Sequence, residues 1–135
     1  MKDSVTVTTT TTVNEETIVG LLACGFEGGV NYWLRIEDYI EPETVRTVTT
    51  NTWNFGEGKV FKHIDYPLSE GGGVVCRDME SGEEHTLDGE AIRRGVQIMA
   101  RDCPHHWQDV VRDSTDATTG DVFIQCCLLG KLVYG

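Results

Sequence analysis

Val74-Val75-Cys76-Arg77-Asp78-Met79 and Glu83-Glu84-His85-Thr86-Leu87 lie on either side of Ser81-Gly82, and here strands give way to helices. β-branched residues separated by a Ser-Gly step predict two antiparallel strands joined by a tight turn. The character then changes at once. Asp88 is a helix N-cap, since its carboxylate can accept a backbone N–H that the first turn leaves free. Behind it, Ile92, Val96 and Met99 recur at helical spacing, Gly95 permits close packing, and Arg93, Arg94 and Arg101 lie off that stripe. Pro104 opens a short second helix carrying Trp107, Val110 and Val111. Asp116 or Thr118 caps a third, in which residues 122–129 are apolar almost all round, the pattern of a helix at the centre of a core. Gly130 ends it, and Leu132-Val133-Tyr134 follows as a short strand or docked tail.

Upstream of the hairpin, Asn14 is a plausible N-cap with Glu15 and Glu16 in the first turn of a helix that buries Ile18, Leu21 and Leu22 and stops near Gly25 or Gly28. Residues 30–40 read as a strand that Pro42 ends. Residues 44–55, where Val45, Val48 and Trp53 alternate with threonines and Arg46, read as another, and after a turn at Gly56-Glu57-Gly58 residues 59–64 read as its return. That reading sets Trp33 and Trp53 in neighbouring strands. Gly71-Gly72-Gly73 reads as a hinge or bulge. Residues 1–13, rich in threonine and polar on both faces, form an arm or an edge strand, and residues 14–135 form a single domain. Segregated strands and helices define an α+β class: an antiparallel sheet with an N-terminal helix and three C-terminal helices packed on one face.

The 135 residues carry 22 acidic and 11 basic side chains, a formal net charge of -11. Such a surface repels phosphate backbones, which argues against general nucleic-acid binding. It leaves room for a small anionic ligand held by inward arginines, and for carboxylates that mimic a phosphate track on a basic partner. The five cysteines, at 24, 76, 103, 126 and 127, are odd in number, with two side by side in an apolar run. Buried thiols in a reducing cytosol fit better than a disulfide framework. The start does not read as a signal peptide, and no apolar stretch approaches 18 residues, so no membrane partner is expected.

Glu27-Gly28-Gly29-Val30-Asn31-Tyr32-Trp33 carries the best candidate site. Two glycines give the backbone freedom and let another group approach closely, which suits either a tight corner between elements or a place that holds something planar. Tyr32, Trp33 and Trp53 offer stacking faces, Asn31 offers an amide to read a purine edge, and Arg35, Arg93 or Arg94 offers a planar fork for phosphate. Gly28, Gly29, Asn31, Tyr32, Trp33, Arg35, Trp53, Arg93 and Arg94 therefore form the expected ligand set. The alternative is that Tyr32 and Trp33 only pack.

Cys103-Pro104-His105-His106 has zinc-ligand chemistry but lacks partners at the spacing of a structural site, and a cysteine nucleophile needs a base held by a third group. Gly71-Gly72-Gly73 lacks the lysine and Ser/Thr of a phosphate loop. No catalytic residue, metal site or cofactor is expected.

The chain also resembles a group of uncharacterised small proteins of tailed bacteriophages. The resemblance rests on Glu27 to Trp33, Tyr66-Pro67-Leu68, Ile92 to Gly95, and a closing pattern of Asp121, Gln125, Gly130 and Val133-Tyr134-Gly135, spanning about residues 14–135. It implies a phage origin and one compact domain, and it transfers no catalytic residue. On that footing the expectation is a non-enzymatic counter-defence protein in the cytoplasm of the infected host. It would sequester a small nucleotide-derived immune signal, with a homodimer interface as a natural place for the pocket. The alternative is an acidic interaction protein that occludes a basic surface of a host defence protein. A third reading is a cysteine- or metal-dependent enzyme around Cys103 and His106.

Overall fold

The computed structural model describes residues 4–54, 56 and 58–135. Residues 1–3, at the head of the expected arm, Phe55, in the expected strand 44–55, and Glu57, in the expected turn, lie outside the described residues. The fold is α+β. Asn14 caps α1 (Glu15–Cys24) by accepting the Thr17 N–H at 2.9 Å, and the helix buries Ile18, Val19, Leu21 and Leu22. It runs on into a π turn, Gly25–Gly29, before the chain bends into β1 (Leu34–Ile40). The strand begins later than residue 30 because Val30–Trp33 closes on itself: the N–H groups of Trp33 and Leu34 both donate to the Val30 carbonyl.

β2 (Gly73–Asp78) and β3 (Glu84–Leu87) form the expected hairpin, with Gly82 at φ 78°, a left-handed conformation that glycine adopts without a Cβ clash. The sheet is antiparallel in the order β1-β2-β3, with Leu34 opposite Asp78 and Cys76 opposite both Ile36 and His85. The register shifts between Ile36 and Asp38, a bulge that blunts the edge strand β1. Alternation sends Leu34, Ile36, Val74, Cys76 and Leu87 inward. Arg35, Glu37, Arg77 and Glu84 form an uncovered outer face.

The helices follow as α4 (Gly89–Asp102), α5 (Pro104–Val111) and α6 (Ala117–Leu129). Asp88 and Asp116 cap α4 and α6 by accepting the N–H groups of Ala91 and Thr119, and Gly130 ends α6 in the left-handed region at φ 74°. α6 is the axis of the core. Residues 119–127 are all buried, and α6 touches α1, the π turn, α4, α5 and β3.

Two of these crossings, of α6 with the π turn and with α4, need glycine. A methyl group on Gly29 would overlap the Ala117 carbonyl oxygen, one on Gly120 the Gly25 nitrogen, and one on Gly95 the Cys127 sulfur. The backbones therefore meet nearly in contact, which gives the dense packing a protein interior requires.

Residues 44–64 differ from the expectation of two strands. They contain short helices α2 (Val48–Trp53) and α3 (Lys62–Asp65). The cause is the fully buried Asp65. Its Oδ1 accepts the backbone N–H and the hydroxyl of Thr49 at 2.8 Å each, and its Oδ2 accepts the Phe61 N–H at 2.8 Å. One carboxylate thus fixes the starts of both helices, and that interaction outweighs the β propensity of valine and threonine. Trp33 and Trp53 are consequently not strand neighbours: Trp33 precedes β1, and Trp53 ends α2, edge-on to Phe61. Residues 4–12 are exposed and have no regular secondary structure, without strand pairing among the described residues.

Candidate functional site

The segment before β1 meets α6 at Asp121. Its Oδ2 accepts the Tyr32 hydroxyl at 2.6 Å, while Oδ1 accepts the Trp33 indole N–H at 2.8 Å and the Gln125 amide at 3.1 Å. Asp121 and Gln125 share one face of α6 because four residues make about one helical turn. Gln125 holds the tail: its Oε1 accepts the N–H groups of Val133 and Tyr134 at 2.8 and 2.9 Å, and its Nε2 donates to the Tyr134 carbonyl at 3.1 Å. The Tyr134 ring lies against Trp33, centroids 5.2 Å apart, and its hydroxyl donates to Asp78 at 2.8 Å. Each buried polar group here has a partner, the condition under which such groups rigidify a core.

The carboxylates hold both phenols in their donor form. Burial, then the hydrogen bond to Asp121 and its negative charge, pushes the Tyr32 hydroxyl from 10.0 to about 12. The bond to Asp78, then burial, does the same for Tyr134. For Asp78, burial opposes ionisation, but the bonds from Tyr134, Ser81 and Glu80 outweigh it and hold the carboxyl below its ordinary range. A phenol raised in the folded state gives stability that is present below its unfolded value and is lost as pH rises through the folded one. Stability should therefore fall between about pH 10 and 12. Phenolate absorbance should lag behind free tyrosine until circular dichroism reports unfolding, and the lag should shrink in Tyr134→Phe.

Beside this network opens a cleft of about 380 Å³ bordered by Gly28, Gly29, Tyr32, His106, Leu132 and Gly135. Tyr32 is 51% exposed, so its ring is available there, whereas Trp33 is 0% exposed and sealed behind it. Trp33 therefore offers no face to a guest. Gly29 serves the packing of the π turn on Ala117, while a methyl on Gly28 would meet open space.

The rest of the expected ligand set is dispersed. Asn31 and Arg35 border a separate hollow with Phe26 and Met79, and Arg35 is engaged by Glu37 at 3.1 Å. Trp53 belongs to α2. Arg93 lines a third cleft, of about 660 Å³, with Arg46, Ile40 and Gly71, while Arg94 donates to the Cys127 carbonyl at 3.2 Å. Among the described residues, the clefts that hold Tyr32, Arg35 and Arg93 are three different ones. Asp121, Gln125 and Tyr134 were absent from the expected set, although the first two stand out as a polar i, i+4 pair within an apolar helix.

Among the described residues no group of three His, Cys, Asp or Glu side chains is placed to hold a metal ion, and no helix is long and apolar enough to cross a membrane. Cys103 lies 3.9 Å from the Cys126 sulfur. Comparison with models of protein families, with curated proteins and with solved structures gave no match.

Charge is the other organised feature. On the outer face of the sheet, Glu37 takes the Arg77 guanidinium at 2.7 and 3.1 Å, and Glu84 takes it again at 3.1 Å. The two guanidinium groups, first by hydrogen bonding, hold the Glu37 carboxyl below its ordinary range. Asp38 on β1, Glu41 and Glu43 in the loop after it, and Glu80 and Glu83 at the hairpin turn are also exposed.

Proposed function

We propose that this is a non-enzymatic, acidic binding protein that works in the cytoplasm of an infected bacterium as a phage counter-defence factor, covering a basic surface of a host defence protein. The observation that carries the reading is the outer sheet face. Its cations, Arg35 and Arg77, are already engaged by Glu37 and Glu84, so the exposed carboxylates that follow along β1, the next loop and the hairpin turn add negative charge that these arginines do not offset, on a sheet face that no described helix covers. Complementary charge of this kind steers a partner and fixes its register. The resemblance to small tailed-phage proteins supports the setting.

The test is capture from host extract over a salt series. Binding of a basic protein should weaken roughly tenfold or more from low to high salt, because exposed charges are screened. It should also be lost in Glu41→Lys/Glu43→Lys/Glu80→Lys and kept in Glu16→Lys/Glu90→Lys, whose changes lie on helices. A partner indifferent to salt and to the sheet-face reversal would overturn the reading.

A second reading is capture of a small nucleotide-derived signal, favoured by the half-exposed Tyr32 ring beside Gly28 and Gly29. The cleft lining includes no lysine or arginine among the described residues, so recognition there would run through a base stacked on Tyr32 rather than through phosphate. Calorimetry with cyclic nucleotides and cyclic ADP-ribose forms decides it: heat that disappears in Tyr32→Ala supports this reading, and no heat with any of them removes it.

A further inference from the structure

We propose that Cys103 and Cys126 form an oxidisable dithiol, a modification site that a peroxide converts to an intramolecular disulfide. The two sulfurs lie 3.9 Å apart, against about 2.05 Å in a disulfide, so closure asks for a shift of roughly 2 Å. Cys103 occupies the junction between α4 and α5, where the backbone leaves helical geometry at φ -125° and ψ 62° and can make that adjustment.

Access is one-sided. Cys103, itself only 8% exposed, borders a cleft of about 390 Å³ with Pro104, His105, His106, Lys131 and Leu132, whereas Cys126 is 0% exposed inside α6. Burial first, then the neighbouring Cys103, pushes the Cys126 thiol up to about 12, so it stays protonated and does not begin the reaction. Cys127 points elsewhere, its sulfur filling the space over Gly95.

The step balances as follows. The Cys103 thiolate attacks one oxygen of hydrogen peroxide, breaks the O–O bond and becomes a sulfenic acid. The departing hydroxide takes up a proton as water. The Cys126 sulfur then attacks the Cys103 sulfur and loses its proton, and the sulfenic hydroxyl leaves as a second water. Two thiols give up two protons and two electrons, and the peroxide is reduced to two waters. The new bond pins the start of α5 to the core helix. It also fixes the wall carrying His106 and Leu132, which border both this cleft and the one beside Tyr32.

The test is dilute hydrogen peroxide on the full folded chain, followed by intact mass and peptide mapping without reductant. The expected result is a loss of two hydrogens and a Cys103–Cys126 crosslinked peptide, confirmed by fragment spectra that separate Cys126 from Cys127 and reversed by dithiothreitol. The crosslink should persist in Cys127→Ala and vanish in Cys126→Ala, where a sulfenic acid on Cys103 should become trappable by dimedone. If either variant fails to fold, the wild-type fragment spectra decide alone. No loss of mass, a crosslink to any other cysteine, or oxidation of Cys103 to sulfinic acid without a crosslink would overturn the proposal.

Discussion

Asp121→Leu should lower the stability of this protein by on the order of 4 kcal/mol, enough to leave much of it unfolded. The substitution removes the acceptor shared by Tyr32, Trp33 and Gln125, and it strands an indole N–H in a site with no exposure. A buried donor left without a partner costs about 1 to 3 kcal/mol, which the Trp33 indole N–H meets in full, while the half-exposed Tyr32 hydroxyl and the Gln125 amide, which keeps the Tyr134 carbonyl, each lose a hydrogen bond to a charged acceptor. Gln125 would also lose the contact that orients it toward Val133 and Tyr134, so the tail should loosen with the core. Asp121→Asn keeps an oxygen for Trp33 and should cost less. Urea unfolding followed by tryptophan fluorescence measures both. A loss below about 1 kcal/mol for the leucine variant would mean that Tyr32 and Trp33 are held on α6 by packing alone.

The second large effect is expected at the glycine crossing. Gly120→Val should cost about 3 kcal/mol or more, because the added carbons would meet the backbone of Cys24 and Gly25 rather than a movable side chain. α6 and the π turn would have to separate, opening the centre of the core. Gly29→Ala should be costly for the same reason, through the Ala117 carbonyl, whereas Gly28→Ala meets open space and should cost clearly less than Gly29→Ala. Thermal unfolding of the three variants gives the order directly. Equal effects at Gly28 and Gly29 would show that the pair acts through backbone freedom and not through close approach.

The parts of the fold that local chemistry decides were legible in the chain. Asp88 and Asp116 cap the helices that follow them, and Ser81-Gly82 sits at the hairpin turn, because each device acts within a few residues. Residues 44–64 were not legible. Their conformation depends on Asp65 reaching back 16 residues to Thr49, an interaction that threonine and valine do not announce. Trp33 posed a similar problem: its neighbours permit either a stacking surface or a core position, and only the arrival of Asp121 from 88 residues away settles which. The candidate site was half legible. Gly28, Gly29 and Tyr32 do border a cleft, but the arginines that would hold phosphate stand at separate places, since nothing in a helix or strand pattern ties Arg35, Arg93 and Arg94 together.

Hydrogen exchange of the protein alone and bound to its captured host partner tests the occlusion reading most directly. Slowed exchange over β1, the loop through Glu43 and the turn at Glu80 and Glu83 is the predicted result. Protection confined to the π turn and the Tyr134 tail, with the sheet unchanged, would contradict it and move the binding surface to the Tyr32 cleft.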